Sequence, residues 1–391
     1  MKGHIVKRSE GSYSVVLELG KDPQTGRRLQ KWVTIRGNKR AAERELARRL
    51  AEIHSGGFVD PGKITVAEFL ESWLTRYAEP NVSPATAQRY RSIVAHHLAP
   101  ALGSLPLARL TPLHIQAMLG ASLKDGARKD GREGRLSPQS VLHHHRVLSE
   151  ALGQAVRWQL LARNPCDAVE PPRVVPKEAR ALDEAETSWL LDCALGTRLY
   201  VPILLAVCGG LRRGEILALR WQDADLAAGT LRVWRSLEET RGGVRFKEPK
   251  AKRSRSLALA PLVVEALRGL QQDQARRKEA LGNDYQAGDL ICCRDDGSVW
   301  VPSAFTSAYR ALLRRRNLKG PNFHALRHSH ASQLLKAGVD IKVVQERLGH
   351  ARAGFTYSVY AHILPGQDRE AAQRQEEALR KAGERRPVAR A

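Results

Sequence analysis

Two rhythms of apolar and polar positions divide this chain. Near the start, apolar residues recur at every second position in YSVVLELG (13–20) and KWVTIRG (31–37). That is the period of half-buried strands, and the Pro and Gly of the intervening KDPQTGRRLQ suit a hairpin turn. NKRAAERELARRLAEIHSGG then changes to helical spacing, with Asn38 as a cap and a Gly pair as a stop. From 64 to about 163 the helical period persists. Thr65 and Glu68 have the spacing of a capping box ahead of FLESWL. Ser83-Pro84, Thr111-Pro112 and Ser137-Pro138 each pair an N-cap with a proline at the first helical position. The last of these opens a long helix with Val141, Leu148, Leu152, Ala155 and Gln159 on one side, and the charged, Gly-rich KDGARKDGREGR precedes it as a loop.

The periodicity lapses in NPCDAVEPPRVVPKEARAL (164–182), whose four prolines read as an extended linker. A mixed region follows. Its pattern predicts helices at 184–194, 199–208, 213–220, 262–280, 303–316, 325–337 and 340–348, and strands around 230–235, 244–247 and 255–259. No internal repeat is evident.

Charge adds a partner to this outline. Lys and Arg total 64 against 41 Asp and Glu, a net charge of +23 on 391 residues, and the excess recurs in every segment. A surface so basic points to a polyanion, and nucleic acid leads. The first 57 residues alone carry 13 Lys or Arg, so a small sheet with a basic helix there can enter a DNA groove. Five cysteines with no CxxC pair argue against a disulfide framework or a zinc ribbon. The N-terminus has no signal-like apolar core and no run reaches membrane-spanning length, so a cytoplasmic location is expected. HHHR (143–146) tempts a metal reading, but adjacent helical residues point in different directions.

Candidate chemistry gathers in the last region. HALRHSH (324–330) places His324 and Arg327 three apart, on one helix face. Arg cannot ligate a metal, and no nearby Asp, Glu or Cys completes a shell. CGGLRRGEILALRW puts Arg212 after a Gly pair, with Glu215 three residues on to hold its guanidinium. FKEPKAKRSRSLAL carries Lys250 between two strand-like runs, RLGH supplies His350, and FTYSVYAHILPG presents Tyr357 and Tyr360. Arginines, histidines, a lysine and a tyrosine, with no carboxylate pair, suit phosphoryl transfer without a metal. Guanidinium forks bind the non-bridging oxygens of a phosphodiester, a lysine can protonate the leaving oxygen, and a tyrosine can attack. Each residue also has a plainer reading: Arg213 competes with Arg212, Lys252 with Lys250, and His328 and His330 suit packing.

GLRRGE, PKAKRSR, HALRHSHAS, LGH and FTYSVYAH, in this order, resemble the motifs of the tyrosine recombinases, the family of phage and mobile-element integrases. The resemblance implies a multidomain, mainly α fold with small β-sheets. Residues 1–57 would form an arm-type DNA-binding unit of sheet plus helix, and 64–163 a helical core-binding domain. A linker (164–176), a mixed α+β catalytic domain (177–377) and a basic C-terminal tail (378–391) would follow. Carried over by motif, Arg212 and Arg327 clamp the phosphate, Lys250 is the general acid, His324 accepts a proton, and His350 donates to the phosphate. Tyr360, ten residues beyond His350, is the nucleophile in preference to Tyr357. The implied activity is cofactor-free strand exchange through a 3′-phosphotyrosyl link, integrating or excising a mobile element. Its partners would be double-stranded DNA at core and arm-type sites, three further copies of the chain exchanging C-terminal helices (around 367–383), and an excision factor or host DNA-bending protein. A type IB topoisomerase and a non-catalytic DNA-binding regulator are the rival readings. The arm-like N-terminus argues against the first and the full residue set against the second.

Overall fold

A computed structural model describes residues 3–21, 28–54, 64–124, 134–175, 180–247, 254–286, 288–318 and 320–349, with 373, 375–377, 379 and 380 beyond them. It divides into two compact units, Met1–Val174 and Val175–Ala391.

In the first unit, β1 (Gly3–Ser9), β2 (Ser12–Lys21) and β3 (Arg28–Arg36) form an antiparallel sheet in that order. Ile5 and Val33 both face Val15 across the ladder. Helix α1 (Lys39–His54) begins where the Asn38 side chain accepts from the Ala41 amide at 2.9 Å. It lays Ala42 against Val15, and Ile5, Tyr13, Ile35 and Leu46 close this small core. Strand β1 escapes the alternating pattern because none of its side chains is fully buried.

The helical part of the unit follows its caps. Thr65 and Glu68 close a reciprocal box at the start of α2 (Val66–Trp73), which runs through a π turn (Leu74–Ala78) into α3 (Glu79–Asn81). Ser83 caps α4 (Pro84–Ile93), followed by a second π turn (Val94–Leu98) and α5 (Ala99–Leu102). Thr111 caps α6 (Pro112–Ser122) and Ser137 caps α7 (Pro138–Arg157). Their apolar faces meet in one core, with Phe69, Trp73, Leu98, Ile115, Leu148 and Leu152 among its members. Each large side chain so buried contributes roughly 1.5–3 kcal/mol.

Two expectations change here. Gln159 is not on the α7 face: the helix ends at Arg157, and Gln159 takes a left-handed φ of 59° in the turn beyond, exposed. The first residues of the expected linker pack on the helices, because Asn164 donates to Ser149 O at 3.0 Å and Cys166 and Val169 enter the core. In HHHR, His144 turns inward and stacks on His97 at 4.3 Å. Burial, and then the His97 and His143 charges, push its imidazole down to about 4, so it packs as a neutral ring.

The second unit is organised by its most apolar helix. Helix α8 (Glu184–Ala194) is capped by Asp183 and followed by α9 (Tyr200–Gly209), buried along nearly its whole length. A helix apolar all round belongs in the middle of a core. After α10 (Arg213–Ile216) come β4 (Ala224–Asp225), β5 (Thr230–Val233), β6 (Ser236–Thr240), β7 (Gly243–Lys247) and β8 (Arg255–Ala258). They form a three-stranded sheet, β4-β5-β8, and a β6-β7 hairpin. Then follow α11 (Pro261–Leu281), α12 (Pro302–Arg315), α13 (Phe323–Lys336) and α14 (Ile341–Leu348). Helix α13 packs on α9, and α14 packs on α13 and β8. The helix expected over 213–220 stops at Ile216, because Leu217, Ala218 and Leu219 are buried on all sides and Arg220 bridges to Leu290. Strand β6 is missed by pattern because Leu237 is its one fully buried residue. Among the described residues, no helix is long and apolar enough to cross a membrane, and no group of three or more His, Cys, Asp or Glu is placed to hold a metal ion.

Candidate active site

The site begins at the C-terminus of α9. Gly210 ends that helix in the left-handed region, φ 65°, and a Cβ there would lie 2.6 Å from His330 Cδ2 and 2.8 Å from Leu348 Cδ2. Only glycine meets both demands. The chain then extends to Arg212, the residue that opens α10. One Glu215 oxygen accepts from the Arg212 amide at 2.9 Å, and the other accepts from Arg212 Nη1 at 2.8 Å. Backbone and guanidinium of Arg212 are thus held by one carboxylate, while 41% of its side chain stays exposed. Burial alone would raise the Glu215 carboxyl. The hydrogen bonds and charge of Arg255, with those of Arg212, override this and hold it at about 2.

Helix α13 supplies the second arm. Asn322 caps it by accepting from the Ala325 amide at 3.1 Å. The single face expected for His324 and Arg327 divides: His324 is exposed on the first turn, and Arg327, one turn on, is drawn inward to 2% exposure by the carbonyls it meets. Arg327 Nη1 donates to Gly210 O and Nη2 to Leu348 O, both at 2.6 Å. These carbonyls belong to the C-terminal ends of α9 and α14, where the helix dipole favours a cation. Partial desolvation, and then the charges of Arg327 and Arg212, lower the His324 imidazole from its usual value, with Glu215 opposing. His324 is therefore neutral near pH 7 and able to accept a proton. His330 does structural work, its Nδ1 meeting Val207 O at 2.9 Å, and the His328 ring lies edge-on to His324 at 5.1 Å.

The structure brings Arg212, Arg327 and Glu215 into one electrostatic neighbourhood around His324. Lys250, His350 and Tyr360, and the alternative Tyr357, lie outside the described residues. Two arginines that local spacing does not reveal join the site. Arg255, the first residue of β8, forks onto both Glu215 oxygens, and Arg347 Nη2 donates to Cys208 O at 3.2 Å. Two guanidiniums, Arg212 and Arg255, thus hold a single buried carboxylate, with the His324 imidazole within its field. Such a cluster keeps an excess of positive charge and suits a phosphate oxyanion.

A helical-and-sheet unit with an Arg–His–Arg cluster beside glycine-capped helix ends suits a phosphate oxyanion, and comparison with known proteins gives the family. Residues 177–366 match the model of the phage integrase family, and residues 65–119 match its N-terminal SAM-like domain. A "tyrosine recombinase XerC-like" protein of Caldanaerobacter subterraneus is 26% identical over 94% of this chain and 96% of its own length. The ICEBs1 integrase of Bacillus subtilis is 25% identical over 96% of this chain and 100% of its own. Among solved structures, the Tn1549 transposon integrase in complex with a circular intermediate DNA superposes with a TM-score of 0.66 at 19% identity, covering 80% of this chain and 100% of that one. A lambda integrase tetramer bound to a Holliday junction does so at 0.56 and 21%, covering 89% and 96%. The chain belongs to the tyrosine recombinases of the phage integrase family.

Proposed function

We propose that this chain is a site-specific recombinase that cuts and rejoins duplex DNA to integrate or excise a mobile element, with Tyr360 as nucleophile. The observation that carries the reading is the cluster of Arg212, Arg327 and Glu215 about His324, inside a family match that extends past Tyr360. Arg212 and Arg327 bind the non-bridging oxygens of the scissile phosphate, where charge gathers in the transition state. His324, neutral and adjacent, takes the phenol proton as Tyr360 Oη attacks phosphorus. The bond to the 5′ oxygen breaks, Lys250 protonates that oxygen, and His350 donates to the phosphate. A 3′-phosphotyrosyl link and a 5′-hydroxyl result. Attack by the 5′-hydroxyl of a partner duplex reverses the step, so the bond energy is conserved and no cofactor is consumed.

The assembly belongs to the same reading. Residues 64–163 bind core sites and 1–57 arm-type sites, and four protomers join two duplexes, each lending its C-terminal helix around 367–383 to a neighbour. An excision factor or a host DNA-bending protein sets direction, and the work is done in the cytoplasm. The family to which the chain belongs and its basic charge of +23 support DNA as the partner.

The test uses duplexes selected from a randomised pool by binding to the protein, then nicked so that cleavage traps the covalent adduct. Wild type and Tyr357→Phe should form the adduct, and peptide mass spectrometry should place the nucleotide on Tyr360. Tyr360→Phe should bind with near-normal affinity and form none. An adduct on Tyr357, or one that survives in Tyr360→Phe, refutes the assignment.

A further inference from the structure

Arg255 has no place in the six-residue set, yet its side chain, 14% exposed, is tied to the site on two edges. Its Nη1 and Nη2 donate to the two Glu215 oxygens at 3.1 and 2.8 Å, and its Nε donates to Arg347 O at 2.8 Å. One planar group therefore has its forked end on the carboxylate that holds Arg212 and its inner edge on the last turn of α14. The contact with α14 is close. Gly349 follows in the left-handed region, φ 64°, and a Cβ there would lie 2.9 Å from Arg255 Nη1 and 3.1 Å from its Cδ. The turn that leads to His350 thus rests directly on this guanidinium. At the other end, Arg255 opens β8, paired with Val233, immediately after the segment that carries Lys250.

We propose that Arg255 is a positioning residue for strand cleavage: it locks the Arg212–Glu215 clamp to the α14 turn before His350 and to the strand that follows Lys250. The inference rests on the cleavage reading above. Its physical basis is geometric. Fixing Arg212 relative to the α14 turn requires donors on two edges at set angles, and a rigid, planar guanidinium supplies them. A lysine keeps the charge but offers a single nitrogen on a flexible stem, so it can serve Glu215 or the Arg347 carbonyl but cannot fix one against the other. A plain structural ion pair would tolerate that exchange, whereas a positioning role would not. Displacing a phosphate clamp by about 1 Å costs on the order of 100-fold in rate.

The experiment compares full-length wild type, Arg255→Lys, Arg255→Met, Glu215→Gln and the double variant Arg255→Met/Glu215→Gln on the selected nicked duplex. Single-turnover adduct formation and duplex affinity are measured separately, well below each protein's thermal midpoint. Arg255→Lys should cleave about 10–100-fold more slowly while its affinity for duplex stays within about twofold. Arg255→Met should be slower still, and the double variant should lose far less than the product of its two single losses, because both act through one contact. Cleavage by Arg255→Lys at the wild-type rate, or matched losses of rate and affinity, overturns the proposal alone. A wild type that binds the duplex and forms no adduct overturns the cleavage reading, and the proposal with it.

Discussion

Glu215→Gln isolates what the buried carboxylate contributes. The side chain is 9% exposed, so solvent screening discounts its interactions little. Its carboxyl ionises at about 2 in the folded chain against an ordinary 4.5. At about 1.4 kcal/mol per tenfold change in acidity, folding favours the ionised form by about 3 kcal/mol. An independent route gives a similar figure, since removing one partner of a buried pair costs roughly 3–5 kcal/mol through the charge left behind. Here that charge is chiefly Arg255, because Arg212 is 41% exposed and better solvated. The sign follows from the depressed value. The contribution is complete above pH 4.5 and drains away as pH falls toward 2. Calorimetry of the full chain at pH 7 should therefore find the transition of the Val175–Ala391 unit lowered by roughly 6–12 °C in Glu215→Gln, at about 2–4 °C per kcal/mol for a unit of this size. At pH 3 the gap should shrink to less than half. An unchanged transition at pH 7, or a gap equally wide at both pH values, refutes the reasoning.

Three further outcomes are expected. The second-order cleavage rate should fall in acid with a midpoint below 6.5, because desolvation and the two arginines lower His324 and the reaction needs it unprotonated; a midpoint above 6.5 contradicts the role. Duplex affinity should drop steeply with salt, as phosphate contacts release counterions, and a nearly flat plot of log affinity against log salt is incompatible with the proposed interface. Deleting residues 1–57 should spare binding and cleavage at the core site but weaken assembly on longer DNA, and equal recombination on full-length sites by the truncated chain removes the arm-binding assignment.

What the sequence discloses of this fold is mostly local. Thr65 with Glu68, Ser83, Thr111 and Ser137 are legible as caps because cap and capped amide lie within three residues of one another. Arg212 with Glu215 is legible for the same reason, whereas the three-residue spacing of His324 and Arg327 does not foretell that one is exposed and the other buried. Strand β6 and the early end of α10 are not, since cross-strand pairing and burial by distant segments decide them. Arg255 is the sharpest case. It sits in Lys252-Arg253-Ser254-Arg255, where nothing local separates one basic residue from another, and its partners Glu215 and Arg347 lie 40 and 92 residues away. Arg347 is equally silent, with its carbonyl acceptor Cys208 139 residues distant.

The two guanidiniums assigned to the phosphate are held in different ways, and the difference bears on what each can do. Arg212 is fixed by a carboxylate, which would cancel much of its charge were that carboxylate its own. Glu215 instead divides its single charge between Arg212 and Arg255, so the three groups together remain cationic. The bonds described for Arg327 run to Gly210 O and Leu348 O, dipoles that orient a guanidinium without neutralising it. Both acceptors sit at left-handed glycine turns, Gly210 itself and the residue before Gly349, where backbone carbonyls at a helix end can converge on one side chain. Positive charge is thereby fixed in place before any phosphate arrives, and little reorganisation is left for the moment of reaction. The GLRRGE and LGH motifs can be understood in these terms: Gly210 and Gly349 shape the carbonyl seats, and Arg327 spans the two.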